Sequence, residues 1–214
     1  MLAPDKSCSL CPRLADYRAS NEATNPDWFN GAVPSFGPAD AALLVVGLAP
    51  GVTGANRTGR PFTGDWAGDL LYATLSKFGF SVGNYDKRPD DGLQMVGARI
   101  TNAVRCVPPQ NKPTTGEINT CRPFLVNEVG SMPNLKVILC LGKISHDSTL
   151  RALGEKPSRK PFAHASEYDV LAGEKPLTQL SSYHCSRYNT NTRRLTEDMF
   201  HSVFARARAI IDGT

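Results

Sequence analysis

The sequence lacks a long hydrophobic run. No stretch reaches the roughly 18 consecutive apolar residues that read as a membrane-spanning helix, and the N-terminus has no apolar segment of the secretory type. We therefore expect a soluble, cytoplasmic protein without a membrane partner. Because the cytoplasm is reducing, paired spacings among the six cysteines favour metal or cluster ligation over disulfides.

A strong charge imbalance is also missing. Lys and Arg exceed Asp and Glu by only 24 to 20, which is compatible with a polyanionic partner but does not require one. The chain has 214 residues, of which 41% are hydrophobic, enough for one sizeable core. Internal repeats and low-complexity linkers are absent. We expect one domain over residues 1–214, with residues 1–40 as an extension packed on it.

Four short apolar runs, bounded by Gly, Pro and polar residues, are typical of strands buried on both faces. They are Ala42–Leu48, Ala98–Val104, Leu135–Leu141 and Leu177–Tyr183. Helical spacing occurs in Ala67–Lys77, Thr115–Val129, Lys143–Leu153 and Thr192–Ile211. Loops are expected at Asn21–Pro38, Gly83–Gly97 and Glu155–Lys175. The alternation predicts an α/β protein, a three-layer α/β/α sandwich around a central, mainly parallel four-stranded sheet.

A glycine-rich segment, Gly47–Asp65, follows the first predicted strand. Its five glycines let the backbone approach a ligand closely. No Gly-Lys-Ser/Thr follows, which excludes a nucleotide-binding P-loop. The polar side chains predicted to contact phosphate or sugar are Asn56, Arg57 and Arg60.

Polar residues also follow the second and fourth predicted strands. Asn102 and His184 lie where an open α/β sheet binds ligands, beyond the carboxyl ends of its strands. Asn102 taken alone is more typical of a turn than of ligand binding. Asp65 immediately precedes a predicted helix, so it is either an N-cap or a functional carboxylate.

Four cysteines form a possible ligand set. Cys8 and Cys11 have the C-x2-C spacing, and Cys106 and Cys121 are separated by fourteen residues. Four thiolates suit either zinc or an iron-sulfur cluster, and the spacing alone favours zinc. Cys140 is expected in the core and Cys185 in a loop.

The motifs closely resemble those of B-type (family 5) uracil-DNA glycosylases. GLAP followed by NRTGR and FTGD is similar to the first family motif, and TNAVRC and the segment from His184 into the last helix are similar to later ones. The resemblance implies hydrolysis of the N-glycosidic bond of uracil, and of other deaminated bases such as hypoxanthine, in DNA to leave an abasic site. It also implies a 4Fe-4S cluster on the four cysteines, double-stranded and single-stranded DNA as substrates, a monomer, and association with the nucleoid during repair.

The resemblance also assigns roles to individual residues. Phe62 would stack on the extruded base, Asn102 would read its edge, and His184 would stabilise the negative charge of the leaving base. Asp65 would orient water or stabilise the cationic sugar. The base pocket would include Gly47, Leu48 and Ala49, and the further DNA contacts would be Arg187, Tyr188, Arg193 and Arg194.

One departure and three alternatives accompany this interpretation. Leu48 and Ala49 supply no acid where other related glycosylases position water, an absence that B-type enzymes share, but Cys185 stands where the family commonly has Pro. One alternative is a non-catalytic iron-sulfur DNA-binding protein of the same fold. Another is an A-type glycosylase, which would have an acid at position 48. A covalent uracil-DNA trapping protein would need a nucleophilic histidine after the first motif, and Gly51–Phe62 contains none.

Overall fold

The computed structural model describes residues 2–214, and its centre is a five-stranded mixed sheet. The strands are β1 (Leu43–Gly47), β2 (Ser81–Val82), β3 (Gln94–Met95), β4 (Ala98–Asn102), β5 (Val137–Leu141), β6 (Glu167–Ala172) and β7 (Lys175–Ser182). The sheet order is β4-β1-β5-β7-β6, and β2 pairs with β3 in a separate hairpin. Neighbours in the sheet are parallel except for β6, which runs antiparallel to β7.

Helices cover both faces of this sheet. They are α1 (Pro12–Thr24), α2 (Ala55–Thr58), α3 (Trp66–Lys77), α4 (Thr115–Ser131), α5 (Lys143–Ala152), α6 (Arg187–Asn191) and α7 (Glu197–Asp212). Short 3-10 turns occupy Pro109–Asn111 and Pro157–Arg159. No helix within residues 2–214 is long and apolar enough to cross a membrane.

The β1 strand explains why its run is continuously apolar. Leu43 and Val45 belong to the core on the side of α3 and α7, whereas Leu44 and Val46 pack on the opposite side with residues of α4 and α5. Successive side chains of a strand point to opposite faces, so a strand covered on both faces has no polar position. The predicted α/β/α layering is thus confirmed.

All four predicted strands are present, but the four-stranded sheet is a wrong prediction. The fifth strand, β6, lies inside the expected loop Glu155–Lys175. It is a partly exposed edge strand, and its register with β7 leaves only Gly173 and Glu174 as the connecting turn. Apolar content therefore does not identify β6 as a strand. The two-residue Gly-X turn at Gly173 and Glu174 is the sequence feature that could have predicted it.

The helices differ from prediction near both ends of the chain. The last helix begins at Glu197, not at Thr192, because Thr196 caps it by accepting a hydrogen bond from the Met199 amide. A separate short helix, α6, precedes it. At the N-terminus α1 extends to Thr24, into the segment expected to be a loop, and Phe36 forms a bridge with Ile100 at the β4 edge.

Candidate active site

The carboxyl ends of β1, β4, β5 and β7 meet at one edge of the sheet, where a cavity of about 570 Å³ opens. Its lining includes residues 48–55, 65–67 and 141–145, together with Phe62, Asn102, Asn111, His184, Ser186 and Arg187. Ligand sites of open α/β sheets lie at such edges. The structure therefore brings together the three predicted base-contacting side chains, Phe62, Asn102 and His184.

Gly47 lies directly beneath two of these side chains. A Cβ atom at this position would lie 2.4 Å from Asn102 Oδ1 and 2.7 Å from Phe62 Cζ. Only a residue without a side chain lets both groups come this close to β1. Because Gly47 has no side chain, Asn102 and Phe62 can pack against it, while Leu48 and Ala49 line the cavity itself.

Phe62 has a left-handed backbone, with φ of 53°. This conformation is unfavourable for a bulky residue, and its surroundings hold it there. The Tyr85 hydroxyl donates to the Phe62 carbonyl (3.2 Å), and the Tyr72 hydroxyl donates to the carbonyl of Pro61 (2.6 Å). The ring lies 6.0 Å from that of His184, at an interplanar angle of 30°.

The structure buries the side chains of two predicted DNA contacts, which does not favour that role. Asn56 is fully buried and donates to Asn30 Oδ1 (3.0 Å). Arg60 is 4% exposed and makes a bidentate ion pair with Asp91, at 2.8 and 2.7 Å. Arg57, on the intervening helix α2, is exposed.

The Arg60–Asp91 pair supports the cavity wall. The guanidinium carbon lies 5.1, 5.5 and 5.7 Å from the ring centroids of Phe36, Tyr72 and Tyr85, and the last two residues hold the backbone around Phe62. Arg60 also holds the pKa of the Asp91 carboxyl well below its usual range. Asp91 lies in the expected loop Gly83–Gly97 and was not predicted as a site residue.

Asn102 ends β4 and is buried against Gly47. Its Oδ1 atom has no hydrogen-bond partner among residues 2–214. A buried amide oxygen without a partner is costly, so an unpaired one that faces a cavity is suited to accept a hydrogen bond from a ligand. Base reading by Asn102 stays a prediction that this geometry favours.

His184 follows β7 and has a strongly shifted titration. Burial lowers the pKa of its imidazole to about 4, so the ring is neutral at neutral pH. Its carbonyl accepts a hydrogen bond from Asn189 Nδ2 (2.8 Å). A neutral imidazole retains one N–H donor, which is what stabilisation of a developing anion requires.

Cys185 lies in a loop as predicted, between β7 and α6, but its side chain is fully buried in the core. Its thiol donates to the carbonyl of Ala67 (3.5 Å), so it ties the His184 segment to the start of α3. This contact anchors the segment at the position where the family commonly has Pro. Cys140 is buried in the core as predicted.

Asp65 combines the two roles left open by the sequence. It caps α3, because Oδ1 accepts a hydrogen bond from the Gly68 amide (3.0 Å), and it also lines the cavity. Burial raises the pKa of its carboxyl above the usual value. The cap is thus confirmed, and the catalytic role stays a prediction.

The rim of the cavity is basic and aromatic. Arg187 lies 5.3 Å from the ring centroid of Trp66, whose Nε1 donates to Thr190 Oγ1 (3.2 Å). Tyr188 is 72% exposed beside it. The other predicted contacts, Arg193 and Arg194, are exposed further along, with Arg194 stacked 4.7 Å from the Tyr183 ring. Several residues of the lining were not predicted as site residues, among them Trp66, Asn111 and Lys143.

The four predicted ligand cysteines meet at a second, small cavity. Cys8, Cys11, Cys106 and Cys121 all line it, among apolar neighbours such as Leu14. Arg18 Nη1 donates to Cys106 Sγ (3.5 Å) and the Arg105 amide donates to Cys121 Sγ (3.4 Å), contacts that stabilise thiolate charge. The donor set therefore fits a thiolate-bound group.

The side chains were also searched for an arrangement that could hold a single metal ion. Within residues 2–214, no group of three or more His, Cys, Asp or Glu side chains is arranged to hold one metal ion. A zinc ion needs its thiolate sulfurs at about 2.3 Å in a tetrahedron. A 4Fe-4S cluster also takes four thiolates, each of which binds a different iron atom.

Comparison with known proteins agrees with this geometry. The family model described as the uracil DNA glycosylase superfamily matches residues 34–208. A type-5 uracil-DNA glycosylase of Thermus thermophilus is 40% identical over 210 residues, which cover 95% of this chain and 94% of that protein. A Mycobacterium leprae type-5 enzyme is also 40% identical, over 95% of this chain and 91% of its own length.

Similarity extends more weakly to another type. A type-4 uracil-DNA glycosylase of Sulfurisphaera tokodaii is 32% identical over 92% of this chain and 79% of that protein. The higher identity and fuller coverage lie with the type-5 proteins, which agrees with Leu48 at the position where an A-type enzyme would have an acid. The chain therefore belongs to the uracil-DNA glycosylase superfamily and, within it, to the type-5 family.

Proposed function

We propose that this protein hydrolyses the N-glycosidic bond of uracil in DNA and leaves an abasic site without cutting the strand. The observation that carries the proposal is the convergence of Phe62, Asn102 and His184, from the segments associated with three separate strands, on one cavity. A stacking ring, an amide and a neutral imidazole are the groups needed to hold a flipped pyrimidine and stabilise it as it leaves.

Base recognition falls to Phe62 and Asn102. A flipped base enters the cavity and stacks on the Phe62 ring, whose backbone is fixed by the Tyr72 and Tyr85 hydroxyls. Asn102 Oδ1 accepts from N3–H of uracil, and its amide nitrogen donates to O4. Extrusion costs a few kcal/mol and costs least at a mismatch, so uracil opposite guanine is the favoured substrate.

His184 stabilises the leaving group. As the glycosidic bond lengthens, negative charge accumulates on the base, and the imidazole N–H donates to its O2 atom. The low pKa of His184 keeps the ring neutral, so the interaction is a hydrogen bond to a developing anion and not a proton transfer. The Phe62 ring packs against the imidazole beforehand, and the Asn189 hydrogen bond holds the His184 backbone carbonyl.

Asp65 acts on the sugar side of the bond. Its carboxylate is held at the start of α3 by the Gly68 amide and faces the cavity, where it stabilises the cationic sugar and orients the attacking water. Leu48 and Ala49 cannot share this task. Catalysis therefore depends more on His184 and on DNA binding than on activation of water.

Substrate breadth follows from the same groups. Hypoxanthine presents N1–H next to O6, the same adjacent donor and acceptor that uracil presents as N3–H and O4, so Asn102 can read both bases. The cavity, at about 570 Å³, has room for a purine, and Leu48 and Ala49 put no charged group in its path. We propose that hypoxanthine is a second substrate.

DNA binding uses the exposed rim. Arg187 and Tyr188 enter the space left by the flipped nucleotide, and Arg57, Arg193 and Arg194 contact phosphates. Lys143 also lines the cavity, but its Nζ is paired with Asp147 (2.6 Å) on the exposed side. This placement does not suit attack on the sugar, which supports a glycosylase without a lyase step.

The four cysteines are proposed to hold a 4Fe-4S cluster. Cys8 and Cys11 come from the N-terminal extension, Cys106 lies in the segment that joins β4 to α4, and Cys121 lies within α4. When bound, the cluster would cross-link these two parts of the chain. Iron and sulfide analysis of anaerobically purified protein tests this: about four irons per chain are expected, and zinc in their place would contradict the proposal.

The activity is tested on a labelled duplex with one uracil opposite guanine, beside duplexes with hypoxanthine opposite thymine and with no damaged base. Strand breaks are expected at the uracil only after alkali treatment, and borohydride should trap no covalent adduct. Failure to produce an alkali-labile site contradicts glycosylase activity. Breaks before alkali, or a trapped adduct, contradict the absence of a lyase step.

A further inference from the structure

A second groove adjoins the active-site cavity at Trp66. The Trp66 side chain lines both the cavity and this groove, which has a volume of about 480 Å³. The proposed reaction gives the groove no role. We propose that it is a second base subsite, in which Trp66 stacks on an unpaired nucleobase next to the extruded nucleotide. This inference rests on the proposed function.

Trp66 presents an exposed ring that is held in one orientation. It is the first residue of α3 and is 50% exposed. Its Nε1 donates to Thr190 Oγ1 (3.2 Å), and the Arg187 guanidinium carbon lies 5.3 Å from the ring centroid. Because these contacts fix the indole before DNA binds, stacking on a flat ligand costs little further side-chain entropy.

The groove has the lining expected of a base site. Its floor is apolar, since Leu195 is buried in the core and Leu70 packs against the core. Its volume falls within the range of small-ligand sites. An aromatic wall over an apolar floor suits any nucleobase, because every base has a π face.

The charges of the groove favour a base over a phosphate. Its lining contains Asp69, Glu197 and Arg193. Lys87 pairs with Asp69 at 2.8 Å, so the acidic and basic groups balance. Phosphate binding depends on an excess of Lys and Arg, which this groove lacks. The part of DNA that fits it is therefore the uncharged base.

The position of Trp66 determines which base can reach the groove. Trp66 directly follows Asp65, which lines the active-site cavity, so only a base close to the extruded nucleotide comes within its reach. In a duplex that base is held by its pairing partner and its stacked neighbours, and freeing it costs energy. An unpaired base avoids the cost of breaking a pair. The subsite should therefore contribute most on single-stranded DNA.

The test combines a protein variant with a DNA variant. Two single-stranded oligonucleotides carry a tetrahydrofuran abasic analogue in place of the target nucleotide. In the first, the nucleotides on both sides keep their bases; in the second, these neighbours are also tetrahydrofuran units. Fluorescence anisotropy gives Kd for the wild type, Trp66→Ala, Trp66→Phe and Leu171→Ala. Leu171 is the control, because it is 54% exposed and lines neither the cavity nor the groove.

Trp66→Ala is expected to raise Kd about tenfold on the strand with flanking bases, which is a usual effect of removing one base-stacking aromatic ring. On the strand with abasic neighbours its Kd should stay within twofold of the wild type. Trp66→Phe keeps a stacking ring and should recover most of the affinity. Leu171→Ala should match the wild type on both strands, and a duplex with the same abasic site should show a smaller loss for Trp66→Ala than the single strand.

The emission of the indole provides a second readout. The chain has two tryptophans, so Trp28→Phe leaves Trp66 as the only one. The strand with flanking bases should quench its fluorescence, because a base stacks on the ring, and the strand with abasic neighbours should not. This measurement keeps Trp66 in place and so does not depend on the folding of Trp66→Ala.

Three binding results would overturn the assignment. The first is an unchanged Kd for Trp66→Ala on the strand with flanking bases. The second is an equal loss on both strands, which would mean that Trp66 acts only by holding Arg187. The third is a larger loss on the duplex, which would place Trp66 against the opposite strand. An indole that both strands quench equally would also contradict the subsite.

The proposed function is judged separately, by uracil excision with the wild-type protein. Excision by the wild type, together with a Trp66→Ala effect that does not depend on the flanking bases, refutes only the subsite. An inactive wild type refutes the function, whatever the Kd values are.

Discussion

Replacing Asp91 by Asn removes the charge that pairs with Arg60 and changes the side-chain shape little. The side chains of Arg60 and Asp91 are 5% and 1% exposed, so the substitution leaves a buried guanidinium without its counter-ion. Breaking a buried pair by removing one partner costs about 3–5 kcal/mol. In a chain of this size that cost lowers the melting temperature by roughly 2–4 °C per kcal/mol, or about 6–20 °C in total.

A surface pair provides the control. Lys87 and Asp69 are bonded at 2.8 Å, but their side chains are 58% and 40% exposed, and such pairs contribute at most about 1 kcal/mol. Asp69→Asn should therefore lower the melting temperature by only a few degrees. Thermal unfolding of both variants at pH 7 measures the difference directly.

The pH dependence of the Asp91 effect has a definite sign. Arg60 lowers the pKa of Asp91 in the folded protein, so the stabilisation is complete above the unfolded pKa of about 4 and is lost as the pH falls toward the folded value. The gap between wild type and Asp91→Asn should narrow from pH 7 to pH 3. Equal melting temperatures for Asp91→Asn and Asp69→Asn at pH 7 would refute the structural role of the pair.

Three further predictions concern the cavity and the cysteines. Gly47→Ala should impair uracil excision severely, because the new Cβ would displace Asn102 and Phe62; an unchanged kcat/KM would contradict this. Burial lowers the pKa of His184 to about 4 from an ordinary 6.5, so between pH 6.5 and pH 4 the unfolded state binds more protons than the folded state. The free energy of unfolding should therefore fall as the pH drops through this range. The fall should be larger in the wild type than in His184→Phe. Cys8→Ala should lower the iron content and the visible absorbance. Cys140 lies in the core away from the four-cysteine cavity, so Cys140→Ala should retain both.

The sequence predicted those features that depend on local pattern. Short runs rich in apolar residues identified β1, β4, β5 and β7, and those of β1 and β5 are continuously apolar because both faces of these strands are covered. The edge strand β6 was not predicted because one side of it is exposed to solvent and its composition is mixed. The start of α7 was misplaced because helical spacing does not reveal that Thr196 caps it.

The residues of the candidate site also fall into those that local sequence predicts and those that it does not. Motif residues at strand ends, such as His184 and Asn102, could be placed because strand ends of a parallel sheet share one edge. Arg60 was predicted to contact DNA because its charge suggested a phosphate contact. In the structure it is buried and paired with the carboxylate of Asp91, 31 residues away. Pairing between distant segments, and the arrival of Asn111 at the cavity, are tertiary properties that local sequence does not record.

The central claim is that His184 stabilises the leaving base. Single-turnover excision of uracil opposite guanine should be measured for the wild type, His184→Ala and His201→Ala, the last altering a histidine on α7 that does not line the cavity. Loss of a donor to a developing anion predicts a rate at least about 10²-fold lower for His184→Ala and a near-normal rate for His201→Ala. A near-wild-type rate for a folded His184→Ala protein would contradict the account.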